Sequence, residues 1–77
     1  MNHRPIYEIA QDIWADWGVK VSPYAIPYLM AMNDLNQITD MYGLESGKTI
    51  VAYFLGNASS WKGEVAKKIK KELKDLL

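Results

Sequence analysis

The stretch Thr49-Ile50-Val51-Ala52-Tyr53-Phe54-Leu55 decides the fold, because it is the longest nearly unbroken apolar run and holds the only Phe of the chain. Its apolar side chains recur at steps of one, three and four residues, and the same face continues to Ala58 and Trp61. That spacing is typical of a helix that buries one broad face. A strand is the alternative for so short a run, but the pattern offers no partner strand elsewhere. The stretch therefore predicts a buried central helix around which amphipathic helices pack.

The composition predicts one small domain over residues 1–77 with a single core. The chain has 77 residues, of which 49% are hydrophobic, and it contains three Trp and five Tyr. That apolar content excludes a disordered chain, and the absence of Cys excludes disulfides and thiolate metal sites. No apolar window approaches the roughly 20 residues of a membrane span, and the first residues lack the apolar core of a signal peptide. We therefore expect a cytoplasmic protein with no membrane partner.

The first helix is predicted from an uninterrupted helical spacing. Pro5 suits the first helical position, since its missing N–H is no loss there, and Gly18 supplies a left-handed stop. The apolar face between them consists of Ile6, Ile9, Ala10, Ile13, Trp14 and Trp17. Glu8, Asp12 and Asp16 lie on the opposite side. This acidic stripe is either the solvated side of a core helix or a docking face for a basic partner.

A second helix is predicted after a short extended connector at residues 19–21. Ser22-Pro23 is a start signal in which a capping hydroxyl precedes Pro, but Pro27 would break a hydrogen bond inside one continuous helix. Either residues 22–26 form a separate turn or the helix restarts at Pro27. We expect the main helix from about Pro27 to Leu35, followed by a further helical turn that ends at Gly43. The side chains expected in the core are Tyr28, Leu29, Met32 and Leu35, and those of the further turn are Ile38, Met41 and Tyr42.

Residues 43–49, Gly-Leu-Glu-Ser-Gly-Lys-Thr, end like a phosphate-binding P-loop. That motif would require Gly at position 42, where this chain has Tyr42. It also requires a preceding strand within a sheet, for which this chain is too short and too helical. The pattern therefore does not predict nucleotide binding, and we expect Ser46 to cap the central helix instead.

The last helix is predicted to begin at Ser59 or Ser60, either of which can cap it. Its apolar side holds Val65, Ala66, Ile69, Leu73, Leu76 and Leu77. Lysines cover the rest of the helix surface. Residues 46–77 carry seven Lys and three acids, a charge of +4. Residues 1–45 carry two basic and six acidic residues, a charge of −4. The lysine side of the last helix is either simply exposed to solvent or binds along the phosphates of a nucleic acid.

The predicted fold is all-α: a compact bundle of four to five short helices around the buried central helix. The expected core consists of Ile9, Ile13, Trp14, Leu29, Met32, Ile50, Phe54, Leu55, Trp61, Ile69 and Leu73.

The segment 46–73, SGKTIVAYFLGNASSWKGEVAKKIKKEL, together with SPYAIPYLMAM at residues 22–32, resembles small proteins encoded by phages, prophages and other mobile elements of Gram-positive bacteria. The resemblance covers most of the chain, and it includes Asp16-Trp17, Tyr42-Gly43 and the junction Trp61-Lys62-Gly63-Glu64. It implies a mobile-element setting and no particular activity.

An enzymatic function is not predicted. The lone His3 has no second His and no Cys with which to share a metal, and the acidic side chains of the first helix share one exposed face rather than a cleft. We expect no cofactor and no metal. The leading hypothesis is a non-enzymatic accessory protein that binds another protein, for which a phage-like setting suggests a host nuclease or replication factor. The expected contact residues are Glu8, Asp12, Asp16, Tyr24 and Tyr28.

The alternative hypothesis is nucleic-acid binding through the lysines of the last helix, independent of base sequence. The expected contact residues are Lys62, Lys67, Lys68, Lys71 and Lys74. Readers of base edges normally add Arg, Asn or Gln, and the last helix contains none of these. The chain is expected to be either a monomer or a homodimer, because a small domain with three Trp can leave an apolar patch uncovered.

Overall fold

A computed structural model describes residues 4–77, and the predictions for His3 lie outside this range. The described chain is mostly helical. Four α-helices are joined by a short 3₁₀ helix at Gly18–Lys20 and a two-stranded antiparallel hairpin. In chain order the elements are α1 (Ile6–Trp17), α2 (Ile26–Met32), β1 (Met41–Tyr42), β2 (Glu45–Ser46), α3 (Gly47–Gly56) and α4 (Glu64–Leu76).

Helix α1 follows its sequence pattern closely. Pro5 is the residue before the helix, with extended backbone, and Gly18 ends it with φ of 58°. The left-handed backbone that Gly18 adopts is readily accessible only to a residue without a Cβ. Its N–H donates to the carbonyl of Trp14. The buried residues of α1 are Ile6, Ile9, Ala10, Ile13 and Trp17.

The path from α1 to α2 differs from the prediction in its first residues and then takes one of the two predicted forms, a separate turn. Residues 18–20 form a 3₁₀ helix rather than an extended connector. Ser22 then begins a separate turn, in which its carbonyl accepts from the N–H of Ala25 at 2.9 Å and its hydroxyl from the N–H of Tyr24 at 3.3 Å. Pro27 falls in the first turn of α2, where a missing N–H is tolerated.

Helix α2 is shorter than predicted and does not reach Leu35. After Met32 the hydrogen bonds tighten to three-residue spacing, ending with the N–H of Leu35 donating to the carbonyl of Met32 at 3.2 Å. These turns still bring Leu35 into the core, where it is fully buried together with Leu29 and Met32. Tyr28, which was expected in the core, is only half-buried.

The hairpin is the main correction to the all-α prediction. Met41 pairs with Ser46 and Tyr42 with Glu45, so the predicted helical turn at this position is wrong. Two residues connect the strands, and the first of them, Gly43, has φ of 64°. Two-residue hairpin turns with Gly at the first central position need this positive φ. Ile38, expected in the same turn, lies in the preceding loop and is half-buried.

The loop before the hairpin is closed by the carboxylate of Asp40. It accepts hydrogen bonds from the backbone N–H groups of Asn36 at 2.9 Å and Gln37 at 3.0 Å. These bonds, that of Gln37 first, lower the pKa of Asp40. A side chain that binds nearby N–H groups in this way competes with helix formation, which is why the helical spacing of residues 38–42 is misleading.

Gly47 is required by a close approach of two backbone segments. A Cβ at this position would lie 2.9 Å from the carbonyl oxygen of Ile38 and 3.0 Å from that of Gln37. The Gly47 N–H donates to the carbonyl of Asp40 at 2.7 Å, and the next N–H donates to Ile38 at 2.9 Å. The Gly-Lys-Thr sequence thus has a structural reason that involves no phosphate.

Helix α3 lies in the interior as predicted. The hydroxyl of Ser46 accepts from the N–H of Thr49 at 3.3 Å and so caps the helix. Ile50, Val51 and Phe54 are buried, while Tyr53 points outward with 52% exposure. Helix α3 packs mainly on α2, and α1 packs on both α2 and α4.

The end of α3 and the start of α4 are separated by a loop. The prediction that Ser59 or Ser60 caps α4 is wrong, because α4 begins at Glu64 after Gly63, which has φ of 115°. Ala58 and Trp61 are buried, but they reach the core from the loop rather than from the helix face. Trp14 and Leu55, also expected in the core, are half-buried like Tyr28. On α4 the buried residues are Ala66, Ile69 and Leu73.

Candidate functional site

The acidic side of α1 is engaged within the molecule. Arg4 forms a two-pronged contact with Glu72 of α4, in which Nε donates to Oε2 at 2.8 Å and Nη2 donates to Oε1 at 3.0 Å. The same guanidinium binds Asp12, and it lies 4.0 Å from Glu8. The hydrogen bonds that Arg4 donates to Glu72 raise the pKa of Arg4 above its usual value, and the bond to Asp12 adds to this effect. Arg4 therefore joins the acidic side of α1 to α4.

Asp16 is also committed to an internal contact. Its Oδ2 accepts a hydrogen bond from the indole Nε1 of Trp61 at 2.8 Å. Asp12, Asp16 and Val65 line a shallow depression of about 290 Å³ between α1 and α4. Asp12 and Asp16 thus make hydrogen bonds within the fold, whereas Glu8 makes the longer contact of 4.0 Å with Arg4.

The predicted tyrosines are part of a solvent-facing aromatic surface. The rings of Tyr28 on α2 and Tyr53 on α3 are in contact, with centroids 5.5 Å apart and planes tilted by 54°. Tyr24 lies four residues before Tyr28, in the turn where the Ile26 N–H donates to the Ser22 carbonyl. Tyr24 is 76% exposed. We call Tyr24, Tyr28 and Tyr53 the tyrosine surface.

Tyr53 was missed by the sequence-based prediction. It lies within the apolar run that identified α3, and such a run does not say which of its members faces outward. Helical spacing gives only a weak signal here, because Tyr53 follows Ile50 by three residues, a helical step, yet lies at the edge of the face that Ile50 and Phe54 share.

The lysines around α4 differ in whether a carboxylate lies close to them, and Lys68 is an exposed lysine with none within 4.0 Å in residues 4–77. Lys71 pairs with Asp75 at 3.3 Å on the exposed side. Lys62, Lys67, Lys70 and Lys74 lie at steps of three, four or five residues along the chain, and no carboxylate in residues 4–77 lies within 4.0 Å of any of these four. We call these four residues the lysine flank.

Lys70 is the partly buried member of the lysine flank, and it was absent from the predicted contacts. Its ammonium donates to the backbone carbonyl of Trp61 at 2.6 Å and lies 5.8 Å from the centroid of the Trp61 ring. Burial lowers the pKa of Lys70, and the positive charges of Lys74 and Lys62 lower it further. The charges of Lys62 and Lys74 thus act on the ammonium group of Lys70.

A depression of about 290 Å³ lies at the N-terminal end of this flank. Its lining consists of Trp61, Lys62, Gly63, Ala66, Lys67 and Lys70. The ring of Trp61 stacks on that of the buried Trp17, with centroids 5.5 Å apart and an angle of 13° between the planes. The lysines therefore line a depression together with Trp61, a side chain whose position is fixed by packing in the core.

The described residues contain no group of three acidic or histidine side chains that could hold a metal ion. Within residues 4–77 no helix combines the length and the apolar composition needed to cross a membrane. No protein-family model, curated protein or solved structure matches the chain. The fold and its surfaces thus define a small, mostly helical domain that carries two candidate binding faces, the tyrosine surface and the lysine flank.

Proposed function

We propose that this chain is a non-enzymatic accessory protein that binds another protein through the tyrosine surface. The proposal includes the setting that the sequence resemblance implies, a phage, prophage or other mobile element of a Gram-positive bacterium. A host nuclease or replication factor is the partner that such a setting favours.

The observation that carries the proposal is the meeting of Tyr28 and Tyr53 from two helices at the surface, with the exposed Tyr24 four residues before Tyr28 in the chain. Single exposed apolar side chains are common, whereas a contiguous aromatic patch is informative. Tyr is among the residues that contribute most to protein–protein binding, because it buries a large rigid ring and keeps a polar tip. Helices α2 and α3 hold two of these rings on a frame that is packed on its other side.

Glu8, Asp12 and Asp16 stay part of the predicted contact, with Glu8 as the member that can be changed at least cost to the fold. Charge reversal at Asp12 would break the contact with Arg4, and reversal at Asp16 would break the hydrogen bond to Trp61. Glu8→Lys is therefore the informative test of the acidic side. Unchanged capture by this variant would restrict the contact to the tyrosine surface.

The test is affinity capture from a Gram-positive host lysate, followed by a titration with the captured protein. The Tyr24→Ala/Tyr53→Ala variant should weaken binding by at least about 30-fold, which corresponds to roughly 2 kcal/mol. The matched control is Tyr7→Ala/Tyr42→Ala, which removes two tyrosines of 39% and 44% exposure from α1 and β1. Equal loss of binding in the two variants would refute the tyrosine surface as the contact.

A second candidate function is sequence-independent binding of nucleic acid by the lysines around α4. The observation that favours it is that no carboxylate in the described part of the chain lies within 4.0 Å of an ammonium group of the lysine flank. Proteins that neutralise phosphates release counterions, so their affinity falls steeply as salt rises. A labelled duplex titrated at two salt concentrations tests this function, and the absence of binding at low salt would end it.

A further inference from the structure

The structure divides the lysines around α4 into members that face one depression and members that do not. Lys62, Lys67 and Lys70 line the depression over Trp61. Lys74 follows Lys70 by one helical turn and is close enough to lower its pKa. Lys68 and Lys71 do not line the depression, and Lys71 is paired with Asp75.

The lysine flank concentrates positive charge, and in residues 4–77 no carboxylate lies within 4.0 Å of its ammonium groups. Lys70 is half-buried, and its ammonium binds a backbone carbonyl rather than a carboxylate. Gathering like charges around a partly desolvated ammonium is unfavourable, and an anion at this position would relieve it. The carboxylate of Asp16 accepts the hydrogen bond from the indole N–H of Trp61 and lines a neighbouring depression of about 520 Å³, which Lys62 also lines and Lys67 and Lys70 do not. The lysine flank thus favours an anionic ligand.

We propose that the lysine flank, Lys62, Lys67, Lys70 and Lys74, is a site for the phosphodiester backbone of a nucleic acid, with the depression over Trp61 as the seat of one phosphate. This inference rests on the second candidate function above. It assigns that function to four particular lysines, adds Lys70, and excludes Lys68 and Lys71 from the contact.

The length of the flank favours a polymer over a single phosphate. Lys67 and Lys74 are separated by seven residues, or about 10 Å along the helix axis at 1.5 Å per residue, so Lys74 lies beyond a phosphate seated in the depression. A nucleic-acid strand carries one charge for about every 3.4 Å of axis and can occupy both ends. The remaining lining residues, Trp61, Gly63 and Ala66, offer no side chain that reads base edges by paired hydrogen bonds. The binding is therefore independent of base sequence.

The test compares two double variants that lose the same charge from the same helix. Binding of a labelled duplex is measured by fluorescence anisotropy between 50 and 200 mM salt, with helix content checked by circular dichroism. If four lysines contact phosphates, a slope of about −0.9 per contact predicts that the wild-type affinity falls about 150-fold over this range. The Lys67→Gln/Lys74→Gln variant should retain two contacts and fall only about 12-fold. The Lys68→Gln/Lys71→Gln control should keep the wild-type salt dependence.

The possible outcomes separate the site from the function. If both double variants show the same reduced salt dependence, nucleic-acid binding stands and the lysine flank is refuted as its site. A wild-type protein that binds no duplex at 50 mM salt overturns the second candidate function and the inference together. Displacement of the duplex by polyglutamate at equal charge concentration would point to an acidic protein, and displacement by inorganic phosphate at millimolar concentration would point to a free anion. Either displacement overturns the assignment to a phosphodiester backbone.

A Lys62→Gln variant, outside α4, should reduce the slope of log affinity against log salt by about 0.9. This variant checks the lysine flank without changing the helix.

Discussion

Replacing Gly47 with Ala should destabilise the domain, although the same change at the start of most helices is neutral or favourable. The added methyl carbon would lie 2.9 Å from one backbone oxygen and 3.0 Å from another, those of Ile38 and Gln37. These are main-chain atoms that cannot rotate away, so the loop must move. Movement would lengthen the 2.7 Å hydrogen bond from Gly47 to Asp40 and the 2.9 Å bond from Lys48 to Ile38.

The magnitude follows from two opposing terms. Ala is favoured over Gly in a helix by up to about 1 kcal/mol, whereas forcing extra atoms into packed structure costs about 1–3 kcal/mol. The strained hydrogen bonds add to the cost, so we expect a net loss of about 1–2 kcal/mol in the free energy of unfolding. Small domains have only about 0.05–0.15 kcal/mol of stability per residue, so this loss would be a large fraction of the total.

Urea denaturation followed by tryptophan fluorescence measures this loss, since Trp17 and Trp61 are both buried. Gly56→Ala is the matched control within the same helix. No atom lies within 4 Å of the position its Cβ would take, and its φ is not positive. That variant should gain about 0.5–1 kcal/mol. A Gly47→Ala protein as stable as the wild type would refute the close approach and with it the structural explanation of the Gly-Lys-Thr sequence.

Three further predictions concern the contacts that position the two faces. Arg4→Met should lower the free energy of unfolding by about 1–2 kcal/mol in urea denaturation, because it removes the two-pronged contact with Glu72. Trp61→Phe removes the hydrogen bond to Asp16, which should contribute about 1 kcal/mol to the free energy of unfolding. A double-mutant cycle with Asp16→Ala should give an interaction energy of that size. The pKa of Asp40 is lowered, so its carboxylate stabilises the fold fully at pH values above the usual pKa of an aspartate. This stabilisation is lost as the pH falls through the lowered pKa. The stability advantage of wild type over Asp40→Asn, measured from pH 7 downward, should therefore shrink only in acid.

The sequence was sufficient for the elements whose signals are local and repeated. Helical spacing with Gly18 as the stop identified α1, and Ser46 before an apolar run identified the start of α3. These signals depend on interactions within a few residues, so no tertiary information is needed to interpret them.

The hairpin and the start of α4 could not be read in the same way. Strands of two residues are too short to show alternation, and Met41 and Tyr42 fall by chance on a helical spacing. At the start of α4 the serines are good caps, but Trp61 must turn into the core before the helix can begin, and Gly63 makes that turn. Burial of a large side chain outweighed a local capping preference.

The sequence predicted which helix faces carry the candidate binding residues, and the contacts in the structure changed which of those residues are available. Periodicity showed which side of α1 is not apolar, but it does not reveal that Arg4 and Trp61 bind Asp12 and Asp16 from other parts of the chain. Composition identified a lysine-rich helix, whereas only the arrangement in space separates Lys70, half-buried over Trp61, from Lys71, paired with Asp75.

The orientation of α3 positions both the core and the tyrosine surface, and thiol labelling tests it most directly. The chain contains no Cys, so a single introduced thiol reports on one position alone. Val51 is fully buried and the adjacent Ala52 is exposed. The Ala52→Cys variant should react with a thiol reagent as fast as an unfolded peptide, while the Val51→Cys variant should react only as the domain opens, slower by orders of magnitude. Equal labelling rates at the two positions under native conditions would contradict the burial of α3 and the account built on it.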